Sequence, residues 1–129
     1  IFEDNDIIES DRVLGINVRD GALVKEVLFK NIHAEYCHPD RKQTAINFYI
    51  TKRNSDTSSL GKIQNITIED CNFEEAFPKK WAFFRHYSQT KKKDLSVHLK
   101  NIFVGGKKIE EMDTVFFDPK KNNAELSFN

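Results

Sequence analysis

A chain of 129 residues and 15.0 kDa has the size of one ordinary domain, and its 20 basic residues are balanced by 20 acidic ones. The resulting formal charge of zero speaks against a generally cationic nucleic-acid binder. At 39% hydrophobic residues the chain can bury a core, which argues against disorder, and no apolar run approaches the roughly 18–20 residues of a membrane-spanning helix.

Ile, Val and Phe together number 30 against 13 for Ala and Leu, and 11 Asn are present, a mix that favours strands and turns over helices. In chain order, the sequence predicts a strand over Val13–Val18, a turn at Asp20-Gly21 and a strand over Val24–Ile32. After the polar loop His38–Gln43 come strands at Ala45–Ile50, Ile66–Phe73 and Trp81–Phe84, the first two separated by the run Arg53–Ser59. Beyond the loop Gln89–Lys93, a strand over Val97–Val104 ends in a tight Gly105-Gly106 turn that feeds a short strand at Lys107-Lys108-Ile109. The remaining elements are a strand over Thr114–Phe117, a plain turn over Asp118–Asn123 and a last short strand at Glu125–Phe128.

The strands repeat. Val27–Ala34, Ile66–Phe73 and Val97–Val104 align without gaps: positions one, three, six and eight are apolar, position four is charged, and position five is Asn, Asp and Asn. Alternation that breaks phase at the Asn/Asp describes a strand that turns there and resumes on a new plane. Glu125–Phe128 reads as a last, incomplete member of this series. A second series aligns Gly15, Ala45, Ala82 and Val115. Helical repeats fail because no 11-residue window sustains an i, i+3, i+4, i+7 stripe, and a propeller fails because no Asn-Gly or Asp-Gly joins two adjacent strands. A long parallel coil fits, since stacked rungs superpose equivalent positions and favour Asn at the turns. The 129 residues then correspond to about four coils of one all-β solenoid.

The segments Gly15–Asp20-Gly21 with Val24–Ile32, Gly61–Asp70, and Val97–Ile109 resemble the late coils of polygalacturonase-like glycoside hydrolases, which have the pectin-lyase-type right-handed parallel β-helix fold. The resemblance covers roughly residues 12 to 109. It implies that residues 1–129 are the C-terminal portion of a single β-helix domain, in a secreted or periplasmic enzyme that hydrolyses a polysaccharide, an acidic, pectin-like one being the candidate, with inversion. The family's Asn-Thr-Asp, Asp-Asp and Gly-His-Gly motifs are absent from this sequence. The resemblance therefore places the catalytic acid and base on upstream coils, which become partners of this segment, and implies that the segment alone is catalytically silent. The family's Arg-Ile-Lys substrate-binding element corresponds to Asn17-Val18-Arg19, leaving Arg19 as its one cation.

Candidate binding residues follow from chemistry as well. Arg19 is suited to a sugar carboxylate or sulfate because guanidinium donates two parallel hydrogen bonds and stays charged at any working pH. Asp20 is a candidate at the presumed cleft end, although its place before Gly21 also marks a turn residue. His33, Glu35 and Tyr36 combine polar groups with a sugar-stacking ring, and strand alternation puts His33 and Glu35 on one face. Glycosidase chemistry needs two carboxyls at a defined separation, and spacing alone pairs none of Asp11, Asp20, Glu35 and Asp40. His33 and His38, five apart across a turn, do not form a metal pattern, and no metal or cofactor is expected. Cys37 and Cys71 fit neither a metal motif nor a disulfide framework and read as buried thiols. The run Phe77–Tyr87 offers either an aromatic binding platform or stacked core, with Trp81 and Phe83 on one face and Phe84 and His86 on the other. The expected partner is a polysaccharide or oligosaccharide, with no nucleic acid or membrane. The rival reading is a non-catalytic solenoid that binds glycans or builds a surface appendage.

Overall fold

The computed structural model describes residues 1–10, 12–35, 45–54, 56, 59–74, 82–87, 92–110 and 122–129. They form strands β1 (Phe2–Ile8), β2 (Leu14–Arg19), β3 (Leu23–Lys25), β4 (Leu28–Glu35), β5 (Ile46–Thr51), β6 (Lys62–Phe73), β7 (Ala82–His86), β8 (Leu95–Val104), β9 (Lys107–Ile109) and β10 (Glu125–Phe128), with one 3-10 turn at Lys92–Asp94. The protein is all-β with parallel sheets, and among the described residues no helix is long and apolar enough to cross a membrane. The segments Tyr36–Thr44, Glu75–Trp81 and Glu111–Lys121, and with them the expected strand Thr114–Phe117, lie outside the described residues.

The larger sheet runs β1-β4-β6-β8-β10 with every neighbour parallel, while β3 extends it beside β6 and β9 folds back antiparallel on β8. The chain returns to the same row at Phe2, Phe29, Ile68, Leu99 and Phe128. Val27, Ile66 and Val97 lie level with one another, as their gapless alignment requires, and β10 adds to β8 as the incomplete last member. Parallel pairing with long connections rules out hairpin-built blades here.

The break in alternation has a backbone cause. Asp4, Asn31, Asp70 and Asn101 sit in one row with φ of 56°, 51°, 53° and 54°, the left-handed region that Asn and Asp tolerate best among residues with a Cβ. Before Asn31, Asp70 and Asn101 the inward side chains are Phe29, Ile68 and Leu99; after them they are Ile32, Cys71 and Ile102. The row is tied across neighbouring strands, with Asn31 Nδ2 donating to Asp4 Oδ1 at 2.7 Å and Asn101 Nδ2 to Asp70 Oδ1 at 2.8 Å. One residue earlier, on the outer face, Glu69 lies between Lys30 and Lys100 at 3.5 and 3.6 Å.

The smaller sheet is β2-β5-β7, also parallel. Its inward rows are Leu14/Ile46/Ala82, Ile16/Phe48/Phe84 and Val18/Ile50/His86. Gly15 therefore pairs with Asn47, and Asn47 with Phe83, which corrects the alignment of Gly15 with Ala45 and Ala82. Matching Ala45 to Ala82 is a one-residue slip that would turn Arg85 into the core, whereas the observed register buries Phe84. The two sheets meet in one core, through which rings follow one another, Phe2 stacked on Phe29 (5.2 Å), Phe29 on Phe48 (5.9 Å), and Phe48 edge-on to Phe84 (5.4 Å). Gly61 is buried where a Cβ would strike the Ala22 carbonyl oxygen and the Val18 side chain, so only glycine permits that approach.

The two ends of the stack differ. The open edge of β7 is occupied by two asparagines: Phe84 N donates to Asn122 Oδ1 (2.7 Å), Asn123 N donates to the Phe84 carbonyl (3.0 Å), and His86 N donates to Asn123 Oδ1 (2.6 Å). Asn123 Nδ2 returns a bond to the His86 carbonyl at 2.9 Å, so side-chain amides act as a surrogate strand. Asn122 and Asn123 are thus an edge cap rather than part of a plain turn. At the β1/β2 end, by contrast, Ile1, Phe2, Ile8 and Leu23 are more than half exposed, and a cavity of about 560 Å³ opens between Phe2, Ile7, Val13, Ile16, Val24 and Val27.

Candidate functional site

The outward face of the smaller sheet is a grid of three rows set by the register: Gly15/Asn47/Phe83, Asn17/Tyr49/Arg85 and Arg19/Thr51/Tyr87. Because the inward rows fill the core, alternation turns these nine outward; Gly15, Asn17, Arg19, Arg85 and Tyr87 are exposed, while Asn47, Tyr49, Thr51 and Phe83 are half-buried, with Asn47 Oδ1 and Thr51 Oγ1 covered. Tyr49 packs edge-on to Phe83 with ring centroids 6.3 Å apart, and its hydroxyl accepts from Asn17 Nδ2 at 3.0 Å. Lys52 Nζ stands 5.8 Å from the centre of the Tyr87 ring, which is 53% exposed. A depression of about 340 Å³ runs between Tyr49, Thr51, Phe83, Arg85 and Tyr87. Arg19 and Arg85 are exposed, and neither guanidinium has a hydrogen bond or ion pair among the described residues. No residue of the grid is a carboxylate. Chemically the face can stack planar or ring-shaped ligands and donate paired hydrogen bonds to an anion; the nine residues of the grid include no general acid or base of the glycosidase kind.

A second cluster stands on the outer side of the larger sheet. Asp6 pairs in register with His33, and Ala34 with Phe73, which brings Glu74 beside Glu35. Backbone bonds hold the two glutamates in place, Glu74 N to the Ala34 carbonyl at 3.0 Å and Glu9 N to the Glu35 carbonyl at 3.1 Å. His33 Nε2 lies 2.8 Å from Glu74 Oε1, while Nδ1 lies 3.4 Å from Asp6 Oδ1 and 3.6 Å from Glu35 Oε1. The hydrogen bond to Glu74 raises the His33 pKa above its usual value, and the charges of Glu74 and Glu35 and the bond to Asp6 add to it against a smaller desolvation effect. Each of His33, Glu35 and Glu74 offers one ligand atom, all within 4.8 Å of one another.

The sequence candidates therefore separate. Arg19 lies on the smaller sheet's outer grid. Asp20 follows it in a left-handed turn (φ 55°) and is held by Arg53, whose Nε lies 3.3 Å from Oδ2 and whose backbone N donates to Oδ1 at 3.2 Å, which fits the turn reading. His33 and Glu35 share a face as alternation required, but on the larger sheet. Tyr36, His38, Asp11, Asp40, Cys37 and Trp81 lie outside the described residues. Cys71 is a buried free thiol whose burial pushes its pKa up to about 11. In the aromatic run, Phe84 and His86 are core and Phe83 faces outward. Sequence reasoning missed Arg85, Tyr49 and Tyr87 as companions of Arg19, and Asp6 and Glu74 as companions of His33. In both groups the signal was the strand register: the first series supplied it for Glu74 but not for Asp6, whose strand was not predicted, and the second series misplaced it, by two residues between Gly15 and Ala45 and by one between Ala45 and Ala82. Comparison of the chain with protein-family models, curated proteins and solved structures finds no match.

Proposed function

We propose that this chain forms the C-terminal coils of a right-handed parallel β-helix glycoside hydrolase of the polygalacturonase-like type, secreted or periplasmic, that seats an acidic polysaccharide over the outer face of the smaller sheet. The observation that carries the reading is a depression lined by Arg85 and walled by Tyr49, Phe83 and Tyr87, with Arg19 on the same outer face beside Thr51, neither guanidinium having an ion-pair partner among the described residues. Rings stack against sugar faces, and guanidinium binds a uronate or sulfate through two donors. The parallel strands, the Asn/Asp bend row and the return of one chain to each row support the β-helix assignment. The exposed apolar β1/β2 end supports upstream coils of the same protein as its cover, and those coils would supply the two carboxyls that hydrolysis requires.

The absence of any carboxylate from the nine-residue grid favours the second reading for these coils taken alone, a non-catalytic glycan-binding solenoid. Titration calorimetry with oligogalacturonate and with a neutral oligosaccharide of equal length tests the site. The anionic chain should bind and weaken with salt, and Arg19→Ala or Arg85→Ala should each reduce affinity about tenfold, or about 1.4 kcal/mol. Equal binding of the neutral sugar, or no effect of Arg85→Ala, overturns it. Release of reducing ends from pectic and other polysaccharides by the full-length protein decides between hydrolase and binder.

A further inference from the structure

The outer side of the larger sheet carries two kinds of charge cluster. In the Lys30/Glu69/Lys100 row the carboxylate lies between two ammonium groups. At Asp6, Glu35 and Glu74 three carboxylates converge on a single imidazole, and among the described residues no Lys or Arg pairs with any of them. Carboxylates this close repel one another, and one imidazole shared among three leaves a deficit of positive charge even when protonated. The parallel register fixes the geometry, because three successive rungs deliver Asp6, then His33 with Glu35, then Glu74 to one spot, and the two glutamates are pinned through their backbones. His33, Glu35 and Glu74 present one nitrogen and two oxygens within 4.8 Å of each other. A dication removes the deficit with one ion.

We propose that His33, Glu35 and Glu74 bind a divalent transition-metal ion of the zinc class, through the His33 imidazole and one oxygen of each glutamate. Asp6 accepts a hydrogen bond from His33 Nδ1, and so leaves Nε2, now facing Glu74, for the metal. The mixed nitrogen and carboxylate set selects borderline ions such as Zn²⁺ or Co²⁺ over the harder Mg²⁺ and Ca²⁺, which prefer all-oxygen shells. With three protein ligands the ion keeps a position for water. The site stands apart from the Arg19/Arg85 face and does not depend on the glycan reading.

Titration of the metal-stripped chain with ZnCl₂ in a non-coordinating buffer tests this directly. One zinc ion per chain should bind saturably with micromolar affinity, and Ca²⁺ or Mg²⁺ should bind at least about a hundredfold more weakly. His33→Gln and Glu74→Gln should abolish saturable binding, Asp6→Asn should weaken it about tenfold, and Glu69→Gln and His98→Gln should leave it unchanged. Because the substituted side chains are at least partly exposed, each variant should retain the wild-type far-ultraviolet circular dichroism. A second measurement needs no variant: zinc should shift the imidazole nuclear magnetic resonances of His33 and leave those of His98 in place. The proposal is overturned by an absence of saturable zinc binding, by zinc and calcium binding equally, by His33→Gln retaining wild-type affinity, or by zinc moving His98 instead of His33.

Discussion

Replacing Asn31 probes the feature on which the whole stack turns. Asn31 holds φ at 51° in the bend between the two halves of β4, and its amide donates to Asp4 Oδ1 at 2.7 Å. In Asn31→Ala both contributions go. An alanine in the left-handed region costs roughly 1 kcal/mol more than the asparagine, whose short polar side chain favours that region. The solvent-exposed hydrogen bond to a carboxylate is worth a further ~0.5–1 kcal/mol, at the low end of the range because water competes for it. Asn31→Ala should therefore destabilise the chain by about 1.5–2 kcal/mol, which at an m-value of about 2 kcal/mol/M lowers the urea midpoint by nearly 1 M. Asn31→Gly loses the same hydrogen bond and adds unfolded-chain entropy of ~0.5 kcal/mol, but adopts φ near +50° without strain, so its loss should be only about 1 kcal/mol. Urea unfolding followed by circular dichroism, with unchanged m-values, measures both. If glycine proves as damaging as alanine, backbone conformation is not what Asn31 supplies, and the account of the bend row is refuted.

Gly61→Ala should prevent folding or cost more than about 3 kcal/mol, since the new methyl meets the Ala22 carbonyl oxygen and Val18, while Gly106→Ala (φ 79°, open space) should cost only about 1 kcal/mol; equal thermal shifts would contradict this. Cys71, with its thiol pKa raised to about 11 by burial, should escape iodoacetamide in the native chain near pH 8 and react fully in urea, as read by peptide mass mapping. For His33 the folded pKa is raised, so its contribution to stability is complete below the unfolded value of about 6.5 and fades as pH rises through the folded value. In chelator, the stability difference between wild type and His33→Gln should thus be larger near about pH 6 than near about pH 9, and stay under about 1 kcal/mol because the group is a third exposed. A difference that grows with pH would reverse the assigned sign.

Much of the first strand series was legible because its information is local. Each member carries its own apolar alternation and its own Asn or Asp at the bend, and only a few residue types tolerate that backbone, so Val27, Ile66 and Val97 could be aligned from sequence alone. The strand β1 was not legible: Phe2–Ile8 is almost wholly exposed and carries three acidic residues and an asparagine, and it is a strand because β4 offers it a parallel edge. Nor was the second series placed correctly, since Ala45 and Ala82 look alike in sequence while the bulk of Phe48 and Phe84 decides the register.

What the sequence determined by itself is the class of structure: the Ile/Val/Phe/Asn bias, period-two alternation and evenly recurring bend residues are short-range properties that demand stacked strands. What only the tertiary structure decided is which side chains meet. Residues far apart in the chain are brought together through register, Asp6 with His33 and Glu74 at one spot and Arg19 with Arg85 and Tyr87 on one outer face across β5, and register is a long-range property fixed by inward packing. The same physics ties the Asp20 turn, which the Asp-Gly dipeptide already marked, to Arg53 and turned Asn122 and Asn123 from loop residues into the cap of β7, because each side chain meets a partner more than thirty positions away.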